Sequence, residues 1–571
     1  MANVWKPEPE LLSSLDAGIP GILESQKENG QFGTEPWIST DQNLLFPLAA
    51  AWSLEGSKYH HDDKILDAII RGGYAMIDGQ DENGMFLFKK KDYSTWGPIF
   101  QPWCYSRWIR ARWLVGDAMP EDARKRWDDA LQLGYSGISD RAMGHVHNIP
   151  CHHAMGLSCA AIVFGRDDWA AQSKAFMKQV VDAQSPNGWW AEHKGPVVSY
   201  NFVYSEALGA YYHMTGDVDV LQAIDRAAQY HANLTYPDGS SVETVDGRNP
   251  YHEGLRLRGT GFCHSATGRG YLARQHAIHQ RAGKPFPADY AASLLIHGEE
   301  GPAEEVAADA DSRVWRMGDE AATVRKRPWF FCTSAFLADL PQNRWGQDRQ
   351  NFVSVYHDRV GVIVGGGNTK LQPLWSNFTV GDTSLLRHTP GDEDPDFSAR
   401  EGLLHVPDEA NYEASEDTGR LALTYGEETC TVTVPPVSDT ELTLTCEATA
   451  NSGDRVEGHV TLIPHITEKA LTADLNTPKV PPPPRTGGKL RFASGAEETL
   501  GEDCIGREGE AWVSHAGWRI HMPEGCKVVW PALPHNPYRK QGQAEPGEGR
   551  IVIVLPFSAE VQRHELRIEI E

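Results

Sequence analysis

The chain has no run of 18 apolar residues among its 571, and so lacks the signature of a membrane-spanning helix. Cysteine is sparse: nine residues, widely spaced, with no CxxC pair. Reduced thiols are expected, and Cys430 with Cys446 or Cys504 with Cys526 would pair only in an exported protein. The opening "MANVWKPEPELLSSLD" lacks the basic start and apolar stretch of a secretory signal, so a cytoplasmic protein is expected. Basic residues are outnumbered, 53 Lys and Arg against 78 Asp and Glu, for a net charge of −25. That balance excludes nucleic acid and an anionic membrane as partners. It leaves room for a small anionic substrate in a locally basic cleft.

What is present is ordinary for a soluble globular protein, 40% hydrophobic and 23% charged. The length demands two or more domains. In the first half a phrase recurs: "ESQKENGQFG", "DGQDENGMFLF", "DAQSPNGWWAE" and "NLTYPDGSSVE". Its glycines are Gly30, Gly84, Gly188 and Gly239, which fit a period of about 52 residues with a fifth, degenerate copy near Gly134. Between them, "DKILDAIIRGGYAMI" and "DVLQAIDRAAQYHANL" carry apolar residues at helical spacing. Asn-Gly and Asp-Gly end a helix and turn the chain. Six such α-hairpins need roughly 310 residues.

From about Ala321 the text becomes short, β-branched and bounded by turns, as in "NFVSVYHDRVGVIVGGG", "TELTLTCEATA" and "GRIVIVLPF". The expected fold class is α+β and multidomain. An (α/α)6 toroid occupies residues 1–315 and an antiparallel β-sandwich residues 316–571. An open α-solenoid with a β cap is the alternative. Pro481 to Pro484 and Gly487-Gly488 read as a loop within the β region.

Three stretches carry chemistry. "HVHNIPCHHAMGLSCAAIVFG" gathers four histidines before an apolar run. Pro150 suits the first turn of a helix, which puts Asn148 near its N-cap and His152 one turn on. Metal ligation, proton transfer and a polar layer between helices all fit these imidazoles; HExxH is absent. In "NGWWAEHKGPVVSYNFVYSEALGAYYHMTGD" a helix is expected from Ser199 to Met214. Tyr200 and Tyr204 share one of its faces beside Asn201, just after Trp189, Trp190, Glu192 and His193. "YPDGSSVETVDGRNPYHEG" is a turn-rich loop bearing Glu243, Asp246, Arg248, Tyr251 and His252. A fourth segment, Lys89 to Arg112, is a basic island with Arg107, Arg110, Trp96 and Trp103. It offers charge for a carboxylate and flat faces for a sugar ring, or else a solvated helix with its aromatic side inward.

These stretches resemble the heparinase II/III-like polysaccharide lyases, including oligoalginate lyases. The pattern reads here as Gly188, Glu192, Tyr200-Asn201-Phe202-Val203-Tyr204, Glu206-Ala207-Leu208 and Gly216-Asp217, with "CHHAMGLS" similar to the family's Asn-His-Ala helix. Pro237-Asp238-Gly239 with Asp246-Gly247 is similar to its Pro-Asp-Gly loop. His152 stands where the family has asparagine, and Asn201 where it has histidine within the Tyr motif. The resemblance implies a toroid followed by a sandwich, and cleavage of a uronate glycan by β-elimination, exolytic on oligosaccharides.

That reaction removes the C5 proton and expels the C4 oxygen. The carboxylate must be stabilised as charge builds, for which Asn148, His152 and Arg248 are the candidates. His153 and Tyr200 suit the base and acid, with Tyr204 in reserve. Trp96 and Arg107, and Trp189, Trp190, Glu192 and Asn201, are expected to bind sugar. Arg248, Tyr251 and His264 complete that set. The route requires no cofactor. A structural divalent metal in the sandwich is entertained, with "RHTPGDEDPDF" and its His388 as the candidate stretch. The expected partner is an acidic oligosaccharide or polysaccharide, and the sequence sets no oligomeric state. Two other readings stand beside this one: a glycoside hydrolase using Glu192, Glu243 and Asp246, and a non-catalytic carbohydrate-binding protein.

Overall fold

The computed structural model describes residues 3–192, 194–389, 392–466 and 488–571. The Pro481–Pro484 run and Gly487 lie outside the described residues. The chain forms two compact units. One comprises Met1–Trp190, Ser199–Gln229 and Leu257–Glu304; the other comprises Ala191–Val198, Tyr230–Arg256 and Glu305–Glu571.

Eleven α-helices are found among the described residues. They are α1 Glu8–Glu24, α2 Leu45–Ser53, α3 Asp63–Gly79, α4 Pro102–Val115, α5 Glu121–Arg141 and α6 Asn148–Phe164. The rest are α7 Asp167–Asp182, α8 Val198–Thr215, α9 Leu221–Asn233, α10 Ala266–Arg281 and α11 Ala288–His297. Two kinds alternate. α2 buries every residue from Leu45 to Trp52, and α6 nearly all of Asn148–Ala161. A helix apolar all round must be surrounded by protein. α3 instead buries one stripe, Ile65, Ala68, Ile69, Gly72, Gly73 and Met76, and leaves the opposite face to solvent. Helices α2, α4 and α6 pack in succession, and α11 packs back onto α1 and α2.

The repeated phrase is the turn after an outer helix. Gly30, Gly84, Gly188 and Gly239 all have left-handed φ, between 81° and 91°. Gly188 also lies so close to the chain that a Cβ there would strike the Arg226 carbonyl. Gly188→Ala is therefore expected to lower stability by more than the roughly 1–2 kcal/mol of left-handed backbone alone. Gly216→Ala, at φ 69° with open space around it, should lose only that backbone share. Thermal unfolding of the two variants makes the comparison.

The fifth copy does not form. Gly134 lies inside α5, where a side chain would collide with the Tyr105 ring; here glycine provides clearance rather than a turn. α6 also begins earlier than Pro150. His147 is the N-cap, its ring accepting from the Ile149 N–H at 3.4 Å, and Asn148 is the first helical residue.

The second unit holds two large antiparallel sheets. In the first, Val456–Leu462 runs beside Arg550–Phe557 in register Val456↔Phe557, Gly458↔Leu555 and Leu462↔Ile551. In the second, Glu441–Ala448 lies between Glu428–Val434 and Arg563–Ile570. Phe331, Val355 and Leu555 from the first sheet share one apolar core with Leu421, Leu444 and Ile568 from the second. Alternating burial in Gly419–Tyr425 shows why its Leu421, Leu423 and Tyr425 face that core. All nine cysteines are free thiols, and Cys430 sits opposite Ala448 rather than Cys446.

Candidate active site

Within the helical unit, residues from five segments enclose a cavity of about 210 Å³. Arg107 and Arg110 come from α4, His152 from α6, Glu206 from α8, Arg258 and His264 from the segment before α10, and Asp289 and His297 from α11. The cavity gathers five residues named from the sequence: Arg107 and Arg110 of the basic island, His152, Glu206 of the Tyr-motif helix, and His264. The sequence reading did not name Arg258, Asp289 or His297, which folding brings to Arg107 from up to 190 positions away.

Arg107 forks onto Asp289, Nε to Oδ1 at 2.8 Å and Nη2 to Oδ2 at 2.6 Å. The pair is mutually reinforcing: Asp289 pulls the Arg107 pKa up against burial, and Arg107 holds the Asp289 carboxyl down against it. Glu206 accepts the Gly259 N–H at 3.3 Å. His152 is 4% exposed, edge-on to the Trp103 ring at 4.7 Å, and both of its ring nitrogens lack a hydrogen-bond partner. Burial first, then Arg107 and Arg110, drives its pKa well below the ordinary value. His297 is likewise buried and held neutral by burial, stacked near Trp113. His264 contacts Glu299 through Nδ1 at 3.2 Å.

His153, next in the chain, lines no part of this cavity. It is buried against the Phe100 backbone, and burial pushes its pKa to about 3. A histidine kept neutral to pH 3 binds fewer protons than its unfolded counterpart, which titrates near 6.5. Its stabilising contribution is complete above pH 6.5. It falls as the pH drops toward 3, by about 1.4 kcal/mol per unit. Melting temperature measured from pH 7 to 4 should fall, and His153→Gln should flatten part of the slope. An identical slope in the variant would contradict the assignment.

Asn148 occupies the first turn of α6, buried, one turn before His152. Tyr200 occupies the first turn of α8 and is half-buried. Tyr204, one turn further, is 1% exposed and stacked on Trp190 at 4.7 Å and 8°. Trp190 donates through Nε1 to the Val180 carbonyl at 2.7 Å. Asn201 turns back onto the Gly188 turn: its Oδ1 accepts from Trp190 N at 3.2 Å and its Nδ2 donates to the Gly188 carbonyl at 3.4 Å. It braces the turn that precedes α8. Trp189 is half-buried, its carbonyl accepting from Ser185 N at 2.8 Å. Trp96 stands 63% exposed on the hairpin Phe86–Lys89/Thr95–Ile99, with the Lys90 ammonium 4.9 Å over its ring.

In the second unit the turn-rich loop is organised by Asp246. Its carboxylate accepts from the N–H groups of Val198 at 3.0 Å, and Arg248 and Asn249 at 2.8 Å. Glu243 accepts from the Tyr236 hydroxyl at 2.9 Å and the Gly366 N–H at 3.1 Å. Both carboxylates are spent on holding the loop. Arg248 lies over Trp345 at 5.0 Å and Tyr538 at 5.5 Å, an aromatic seat that fixes its guanidinium plane. Tyr251 is buried, its N–H on the Gly366 carbonyl at 3.2 Å. Glu192 is half-buried in the two-residue strand Ala191–Glu192. His193 lies outside the described residues. His388 packs against His535 with ring centroids 5.2 Å apart, and Pro390 and Gly391 of the same stretch lie outside the described residues. Among the described residues no three His, Cys, Asp or Glu side chains gather as a metal site.

No family model matches the chain, and no curated protein matches it. Solved structures do. A chondroitinase AC lyase, in a structure of enzyme–oligosaccharide complexes, aligns with TM-score 0.52 at 11% identity, over 98% of this chain and 82% of that one. A Paenibacillus xanthan lyase aligns with TM-score 0.54 at 11% identity, over 99% of this chain and 57% of that one. This chain thus spans little more than half of the xanthan lyase. The fold is one that these two polysaccharide lyases also have.

Proposed function

We propose that the protein is a polysaccharide lyase that cleaves a uronate-containing glycan by β-elimination, working from the end of oligosaccharides. Its helical unit is read as an (α/α)6 toroid and its two sheets as a β-sandwich, with the division near residue 315. The observation that carries the reading is the pairing of this lyase fold with Asn148 and Tyr200, each in the first turn of a helix.

Tyr200 takes the C5 proton and returns one to the departing C4 oxygen. Asn148 supplies an amide N–H to the carboxylate as the enolate forms. His152 stays neutral at working pH and offers a hydrogen bond rather than a charge. His153 is the second candidate for proton transfer. Its burial favours Tyr200. The hydrolase alternative needs two carboxylates free for substrate, and Glu243 and Asp246 are each engaged with the loop that bears them.

The summed mass of the two products of one cut tests the reaction class. Elimination adds no water, so the fragments of a digested uronate oligosaccharide together weigh what the substrate weighed, one of them carrying the double bond. Fragments that together weigh one water more would replace the reading with hydrolysis.

A further inference from the structure

Arg110 has no role in the chemistry above. It is 4% exposed on α4. Its Nε donates to the Ser106 carbonyl at 2.9 Å, and its guanidinium lies 3.9 Å over the Phe46 ring. Its two Nη groups have no hydrogen-bond partner among the described residues, and the side chain lines the 210 Å³ cavity. Neighbouring Arg107 is committed to Asp289, whereas Arg110 has no carboxylate of its own. Burial lowers its pKa to about 10, which still leaves it charged at neutral pH.

The formal charge of the lining is therefore positive: guanidiniums of Arg107, Arg110 and Arg258 face carboxylates of Glu206 and Asp289. His152 and His297 remain neutral, so each presents one N–H and one lone pair. A buried, unneutralised guanidinium is costly. A free Nη1/Nη2 edge matches the two oxygens of a carboxylate or a sulfate ester. Neutral imidazoles match hydroxyl groups, which both donate and accept. The volume is below the roughly 300–1,000 Å³ of sites for drug-sized ligands, so one sugar residue is the scale of the occupant.

We propose that this cavity binds a single oxyanion-bearing sugar residue, its carboxylate or sulfate ester on the Nη edge of Arg110 and its hydroxyls on His152 and His297. Arg258, exposed at the lining, meets the ligand on entry. The anion site stands on the cavity alone. That its occupant is the terminal residue of a substrate chain rests on the function proposed above.

Calorimetric titration of the full chain with glucuronate, glucose 6-sulfate and glucose tests the site. At least one anionic sugar should bind, and glucose at least about tenfold more weakly, since its ligand lacks the charge-assisted fork. Binding of only one anion identifies carboxylate or sulfate as the group recognised. Arg110→Gln should weaken that anion at least about tenfold while Arg110→Lys retains part of it. Should the buried substitution unfold the chain, Arg258→Gln offers a surface variant expected to weaken the same ligand by several-fold. Anions binding no better than glucose, or equal affinity in the folded Gln variants, would overturn the proposal. Anion binding by a protein that shows no turnover on any uronate oligosaccharide would leave the site standing and remove the lyase reading. Turnover with unchanged KM in Arg110→Gln would do the reverse.

Discussion

Tyr200→Phe is expected to lower kcat on a uronate oligosaccharide by about 100- to 10,000-fold, the range that a positioned acid or base contributes. KM should change little, because the ring remains and only the hydroxyl is lost. The substitution is gentle on the fold: Tyr200 is half-buried in the first turn of α8. Tyr204→Phe is the control. Tyr204 is buried and stacked on Trp190, so its ring packs whether or not the hydroxyl is present. Comparable losses in both variants would move the chemistry away from the first turn of α8. A full rate in Tyr200→Phe would remove tyrosine from proton transfer altogether.

The largest stability effect is expected from Arg325→Met in the sheet unit. Arg325 pairs with Asp358 through two bonds, Nη1 to Oδ1 at 2.9 Å and Nη2 to Oδ2 at 2.7 Å. Their side chains are 0% and 1% exposed. Removing the guanidinium strands a carboxylate in the interior, which costs about 3–5 kcal/mol. For a unit of this size the transition should fall on the order of 10 °C. The double variant Arg325→Met with Asp358→Leu should recover much of the loss, since neither charge is then buried alone. Differential calorimetry reads both. An unchanged transition in the single variant would show that Asp358 finds another cation or gains access to water.

How much of this was legible in the sequence differs between residues. The four turn glycines were readable because a left-handed φ favours few residue types, and Asn-Gly or Asp-Gly after a helix is the local sign of it. Gly134 looked the same and is not, because its reason lies in the ring of Tyr105, which no local pattern shows. Asn201 sits within a recognisable motif yet points back to the Gly188 turn; its hydrogen bonds, not its neighbours in sequence, decide its role. The basic island is the clearest case. Arg107 and Arg112 find Asp289 and Asp128, 182 and 16 positions away, whereas Arg110 finds no acid. Composition counts all three alike. Which charge is left over emerges only when the chain folds, and that remainder is what gives the helical cavity its sign.

The central claim is elimination from a uronate, and one assay addresses it directly. Absorbance near 235 nm and release of reducing ends are followed together over a panel of acidic oligosaccharides. A new carbon–carbon double bond conjugated to the carboxylate should make both signals rise in step, at about one chromophore per cut. Reducing ends appearing without absorbance, on any member of the panel, would contradict elimination and assign the fold a hydrolytic reaction in this protein.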